Sequence, residues 1–274
     1  MSDFLARYEA MSHRAAASVI AAYSTSFSLA VRLLDRRTRR DIRNLYAVVR
    51  IADEIVDGAA DLAGTDVPAQ LAAYEQAVLA APGQGFHTDP VLHAYAGTAR
   101  RCRLDPDHLT AFFWSMRQDL HHTDFTPAQL DRYIYGSAEV IGLLCLRIFL
   151  AGADAGTELN HGARQLGSAF QKINFLRDLA DDTATLGRSY LGPLDDAAKH
   201  RLIREVTAEL DAARAVIPQL PGSARRAVTV ATALFAELVR RLDAASLAEI
   251  RADRIRVPDP VKAQIVARCL VRRQ

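Results

Sequence analysis

Apolar and polar positions along the chain alternate with a period near 3.6 almost from end to end, and Pro and Gly clusters break that rhythm. The pattern predicts helices over residues 4–22, 38–57, 68–80, 89–103, 106–121, 127–152, 158–183, 195–216, 222–249 and 259–271. The breaks have local causes. "GTDVP" supplies a turn and an Asp ahead of the helix that starts at Pro68. "APGQGFHTDP" is a Gly/Pro loop ending at Pro90. "TDFTPAQL" puts Thr126 at the N-cap and Pro127 at the first helical position, and "LPGS" interrupts the chain before residue 222. Strand signals are scarce, with no Asn-Gly or Asp-Gly turn between alternating runs. The expectation is an all-α fold, a single helical domain over residues 1–274 without repeats or linkers.

Two of these helices carry an unusual polar stripe. In "NLYAVVRIADEIVDG", Tyr46, Arg50, Asp53 and Asp57 follow one another at intervals of four, three and four residues. On a helix they fall within roughly 60° of one another, amid Leu45, Val48, Val49, Ile51, Ile55 and Val56. In "AFQKINFLRDLADD", Gln171, Asn174, Asp178 and Asp182 fall within roughly 80°, amid Phe170, Ile173, Phe175, Leu176 and Leu179. Like charges at i and i+4 repel by a few tenths of a kcal/mol (about 0.2–0.5). A lone pair of this kind is ordinarily a solvated face. Two such stripes on two apolar helices point instead to carboxylates that converge, and buried carboxylates need partners or a metal. Magnesium suits this donor set, because it takes hard oxygen ligands from one or two carboxylates and from substrate phosphate. The candidate metal ligands are Asp53, Asp57, Asn174, Asp178 and Asp182, with Arg50 and Arg177 as phosphate contacts or braces. Interhelical salt bridges to the many arginines are the alternative.

Composition narrows the classes further. Half of the 274 residues are hydrophobic, and 34 Lys+Arg nearly balance 32 Asp+Glu, so nothing argues for nucleic acid as a partner. Cys102, Cys145 and Cys269 are too widely spaced for a disulfide framework or a zinc site, which suits a reducing cytoplasm. The amphipathic start lacks a signal peptide's apolar core, and no run is long enough to span a bilayer.

Four segments, "YSTSFSLAVRLL" (23–34), "LYAVVRIADEIVDG" (45–58), "YIYGSAEVIG" (133–142) and "QKINFLRDLADDTATLGRSYL" (171–191), resemble the phytoene and squalene synthase family, in order, over residues 20 to 192. The resemblance implies a helical bundle of the isoprenoid synthase type around a central cavity. Its two Asp motifs, here Asp53/Asp57 and Asp178/Asp182, would hold magnesium (or manganese) and the diphosphates of two prenyl substrates. Tyr46, Arg50, Gln171, Asn174 and Arg177 match supporting positions. Ser24, Ser26 and Phe27 match the segment that closes over substrate, Tyr133 a cavity tyrosine, and Asp119 an aspartate on a neighbouring helix. The implied chemistry is head-to-head condensation through a cyclopropylcarbinyl diphosphate, of phytoene type from geranylgeranyl diphosphate. Squalene or presqualene diphosphate synthesis from farnesyl diphosphate, with NADPH where squalene forms, is the alternative. A non-catalytic scaffold of the same fold and a one-substrate cyclase are the rival classes.

Some positions depart from the family pattern. Thr25 stands where a basic residue is common, Glu54 replaces an Asp, Gly192 precedes Pro193, and Glu139 occupies a place usually held by a small residue. Glu139 reads as an arginine partner or, alternatively, as a cavity acid. The arginines from Arg36 to Arg43 and the basic tail from Arg251 to Arg273 read as solvated faces or as peripheral contact with an anionic membrane surface. His121 and His122 read as surface, and Trp114 as core.

Overall fold

A computed structural model describes residues 2–23, 25–121, 124–181 and 190–271. Every regular element among them is helical. In chain order these are α1 (Ser2–Tyr23), α2 (Thr25–Val31), α3 (Arg36–Val56), α4 (Ala59–Leu62), α5 (Val67–Ala80), α6 (Pro90–Cys102), α7 (Pro106–Gln118), α8 (Pro127–Ile134), α9 (Val140–Phe149), α10 (Thr157–Arg177), α11 (Leu179–Asp181), α12 (Asp196–Val216), α13 (Gly222–Ala244), α14 (Leu247–Ala252) and α15 (Asp259–Val271). No described helix is long and apolar enough to cross a membrane.

The starts follow the expected caps. Asp66, Asp89 and Asp105 accept backbone N–H groups ahead of Pro68, Pro90 and Pro106. Thr126 and Gln129 close a reciprocal capping box before α8. The departures from expectation are informative. The helix predicted over 127–152 is interrupted by a π turn at Tyr135–Glu139. There Gly136 lies so close to Ser115 and the Ala111 carbonyl that a Cβ would overlap both. The helix predicted over 158–183 breaks at Asp178. The one predicted over 222–249 ends at Ala244, and Ser246 caps a separate α14 through a capping box with Glu249. The short helices α2 and α4 fall below the length that periodicity resolves.

Helix α3 crosses α1 and α6, and α10 packs along α9 and α12, with α13 behind α12. A buried polar network fixes the rotation of α3. Asn44 donates to Thr98 Oγ1 at 3.0 Å and to the Ala94 carbonyl at 3.2 Å, and Asp41 accepts from Thr98 at 2.9 Å and pairs with Arg101. Ile42, Leu45 and Val48 are thereby committed to the core, and the stripe of Tyr46, Arg50 and Asp53 turns the other way.

Glu139 pairs with Arg164 at 2.6 Å, matching the arginine-partner reading. Trp114 is half-buried rather than core, with the Arg132 guanidinium 3.9 Å over its ring. His121 is exposed, and His122 lies outside the described residues.

Candidate active site

Three helices end on aspartates in this region. Asp57 terminates α3, with its N–H donating to the Asp53 carbonyl at 2.8 Å, and Gly58 turns the chain away at φ +116°. Asp178 terminates α10 in the same way, bonded to the Asn174 carbonyl at 2.8 Å. Asp119 terminates α7. A helix C-terminus already carries negative partial charge, so a carboxylate there deepens the potential instead of relieving it. Asp53 registers the consequence. Burial, with Asp57, Asp119 and Glu54 nearby, pushes its carboxyl up to about 8 against the opposing pull of Arg50.

Cations answer these charges. Arg50 pairs with Glu54, stands 3.7 Å from Asp53, and lies over the Tyr23 ring at 4.4 Å. Asp178 accepts from Arg177 Nε at 2.7 Å and from Arg254 Nε at 2.8 Å. Asp178 therefore sits in arginine pairs of the kind that were the alternative to a metal. Arg50, Asn174, Arg177, Arg254, Arg256 and Lys262 line one mouth cavity of about 620 Å³.

That mouth shares Phe27, Tyr46 and Phe170 with a second, almost wholly apolar chamber of about 300 Å³. Phe27 stacks on Tyr46 with ring centroids 5.7 Å apart, and Phe170 on Phe235 at 3.6 Å. Gln171 faces the chamber. The arrangement is a charged entrance, an aromatic neck and a dry interior.

Tyr133 lines neither cavity. It is buried among Phe125, Phe175 and Tyr190 and reaches the site through Asp119, to which it donates at 2.9 Å. Tyr190 donates to the other oxygen of Asp119 at 2.8 Å. Ser24 and Asp182 lie outside the described residues. Ser26 falls in α2. Sequence reasoning missed Arg254, Arg256, Lys262, Tyr190 and Phe235. Arg254 and Arg256 sit in a stretch without helical period, so their only signal was the basic character of the tail.

The donors present fit a hard divalent cation. Asn174 Oδ1 is buried without a hydrogen-bond partner among the described residues, and Asp53 carries an excess of negative neighbours. No three acidic, His or Cys side chains converge on one point among the described residues.

A family model described as squalene/phytoene synthase matches residues 20–207. Over 197 residues the chain is 32% identical to a 15-cis-phytoene synthase of Enterobacter agglomerans, covering 68% of this chain and 63% of that protein. Over 172 residues it is 33% identical to a presqualene diphosphate synthase of Rhodopseudomonas palustris, covering 62% and 59%. The matched stretches thus span less than two thirds of these relatives' own lengths. The fold superposes on the crystal structure of a dehydrosqualene synthase in complex with ligand at a TM-score of 0.81, with 20% identity, over 96% of this chain and 97% of that one.

Proposed function

The chain belongs to the squalene/phytoene synthase family, and from that premise we propose that it is a prenyltransferase joining two prenyl diphosphates head to head. The observation that carries this reading is the joining of opposite environments at one neck. A cluster of cations, among them Arg50 beside Asp53 and Arg177 and Arg254 paired with Asp178, stands on one side of Phe27, Tyr46 and Phe170, and an apolar chamber lies on the other. A ligand with a multiply charged head and a long hydrocarbon tail fits both.

In this reading Asp53, Asp57, Asn174, Asp178 and Asp182 hold magnesium, or manganese in its place. When bound, the metal neutralises the departing diphosphate. Arg50, Arg177, Arg254, Arg256 and Lys262 bind diphosphate oxygens from the protein side, the arginines through forked N–H pairs. Tyr133 and Tyr190 hold Asp119 by both of its oxygens, and Asp119 adds its charge to the field at Asp53. The chamber wall excludes water from an allylic cation. The ring faces of Phe27, Tyr46 and Phe170 stabilise that cation at the neck, where the two chains would join. The expected course is a cyclopropylcarbinyl diphosphate followed by a second ionisation. Proton loss then gives a phytoene-type product, and hydride from NADPH gives a squalene-type one. Arg36, Arg37 and Arg40, all exposed at the start of α3, are where the protein would meet an anionic membrane surface that receives the product.

Product analysis by mass spectrometry tests this, using farnesyl or geranylgeranyl diphosphate with magnesium, with and without NADPH. A head-to-head product that disappears with chelator and in Asp53→Ala or Asp178→Ala is the expected result. Function untouched by either substitution would establish the scaffold reading instead.

A further inference from the structure

The structure supplies a ruler for the length of the tail. Helix α10 runs along the chamber from the neck inward, contributing Phe170, Gly167, Ala163 and finally Leu159 to its wall. Eleven steps of helical rise from Phe170 to Leu159 give a depth of about 16 Å. Helix α9 runs antiparallel. Ala138 lies against Gly167 and Gly142 against Ala163, so closely that a Cβ on either glycine would overlap the opposite backbone carbonyl. Along this second wall, which begins in the π turn ahead of α9, the chamber extends from Ser137 to Phe149, at most about 18 Å at helical rise. Phe149 ends α9 and Leu159 lies in the first turn of α10, so the deep end lies where this helical hairpin turns.

On the side of Leu146 the deep end is backed by charge. Leu146 lines the chamber on one side and, on the other, a cavity of about 210 Å³ that contains Arg103, His108, Arg147, Asp154 and Asn160. There Arg147 pairs with Asp154. A hydrocarbon tail that pushed past Leu146 would have to strip water from these groups, which is unfavourable.

An extended carbon chain advances about 1.25 Å per bond, so each isoprene unit, four bonds along the chain, adds roughly 5 Å. Three units span about 15 Å and four about 20 Å, against a depth of about 16–18 Å. We propose that the chamber is cut for a fifteen-carbon tail, with Phe149 and Leu159 as the floor that sets its length. The proposal rests on the condensing reading above, and it departs from the geranylgeranyl length that the phytoene-type resemblance implies.

The test is calorimetric binding, to the full chain with magnesium, of unreactive thiolodiphosphates bearing farnesyl or geranylgeranyl tails. The expected result is at least tenfold tighter binding of the fifteen-carbon ligand. Leu159→Ala should close that gap by fivefold or more, chiefly by tightening the twenty-carbon ligand. Phe149→Leu, a milder truncation, should act in the same direction if the alanine variant fails to fold. Equal affinity for both tails in the wild type, or a ratio unmoved by either variant, overturns the length assignment and leaves head-to-head condensation standing. Failure of both analogues to bind overturns the condensing reading and this proposal with it.

Discussion

The hydroxyl of Tyr133 donates to Oδ2 of Asp119 at 2.9 Å, and Asp119 in turn is one of the charges that raise the carboxyl of Asp53. Tyr133 therefore acts on the mouth from a buried aromatic cluster without touching it. Tyr133→Phe removes a hydrogen bond to a charged group and should destabilise the protein by about 1.5–3 kcal/mol. Tyr190→Phe should cost a similar amount, since its hydroxyl serves the other oxygen. The two effects should be non-additive in a double-mutant cycle read by denaturant unfolding, because both phenols hold one carboxylate.

A second prediction concerns pH and metal. Without metal, Asp53 keeps its proton to about pH 8 in the folded chain, against an ordinary value of 3.8. Between those limits the folded state binds a proton that the unfolded state has lost. Stability of the chelated protein should therefore fall as pH rises from about 4 to about 8. Asp53→Asn mimics the protonated form, so in chelator at pH 8.5 it should melt a few degrees above wild type, with the gap closed at pH 4. Magnesium should raise the melting temperature of the wild type with proton release, and should do so far less for Asp53→Asn.

The first stripe was legible because a 3.6-residue period places Tyr46, Arg50 and Asp53 on one face of α3, with Asp57 at its cap; of the second, α10 carries Gln171 and Asn174 and caps at Asp178, while Asp182 lies outside the described residues. The Thr126 cap was legible because its chemistry is local. The π turn at Tyr135–Glu139 was not, since one extra residue per turn leaves the apolar pattern nearly intact while close packing at Gly136 enforces the turn. The break at Ser246 was hidden because the rhythm of α13 runs on through it. Arg254 meets Asp178 across 76 positions of chain, and no local signal marks such a pair. The depth of the chamber depends on how α9 and α10 stack, which is likewise a property of packing alone.

Arg254 separates binding from stability. It is about a third exposed, at 36%, so its pair with Asp178 contributes at most about 1 kcal/mol to the fold. Arg254→Ala should leave the melting temperature nearly unchanged yet raise KM for prenyl diphosphate by tenfold or more. Arg254→Lys should recover only part of this, because an ammonium lacks the forked geometry that an arginine offers a diphosphate. Steady-state kinetics beside a thermal melt checks both halves.

The opposite end of α3 offers a control that touches no substrate. Asp35 caps that helix, accepting from the N–H groups of Arg37 and Thr38 at 3.0 Å, and it ties in α13 by accepting from Ser223 Oγ at 2.7 Å. Desolvation pushes its carboxyl up. The bonds from Thr38, Ser223 and Arg37 together outweigh it and bring the carboxyl down to about 2. A depressed folded value means that the stabilisation is fully present above the ordinary carboxylate value of 3.8 and is lost as pH falls through about 2. Asp35→Ala should therefore cost about 1 kcal/mol at pH 7, the usual worth of an N-cap. The difference between variant and wild type should shrink below pH 4, read by urea unfolding across that range. Helix α3 carries Asp53 and Asp57 at its far end and is held in rotation by Asn44 and Asp41 midway. Loss of the cap should thus loosen only the first turn, and magnesium affinity at the mouth should stay within twofold of wild type.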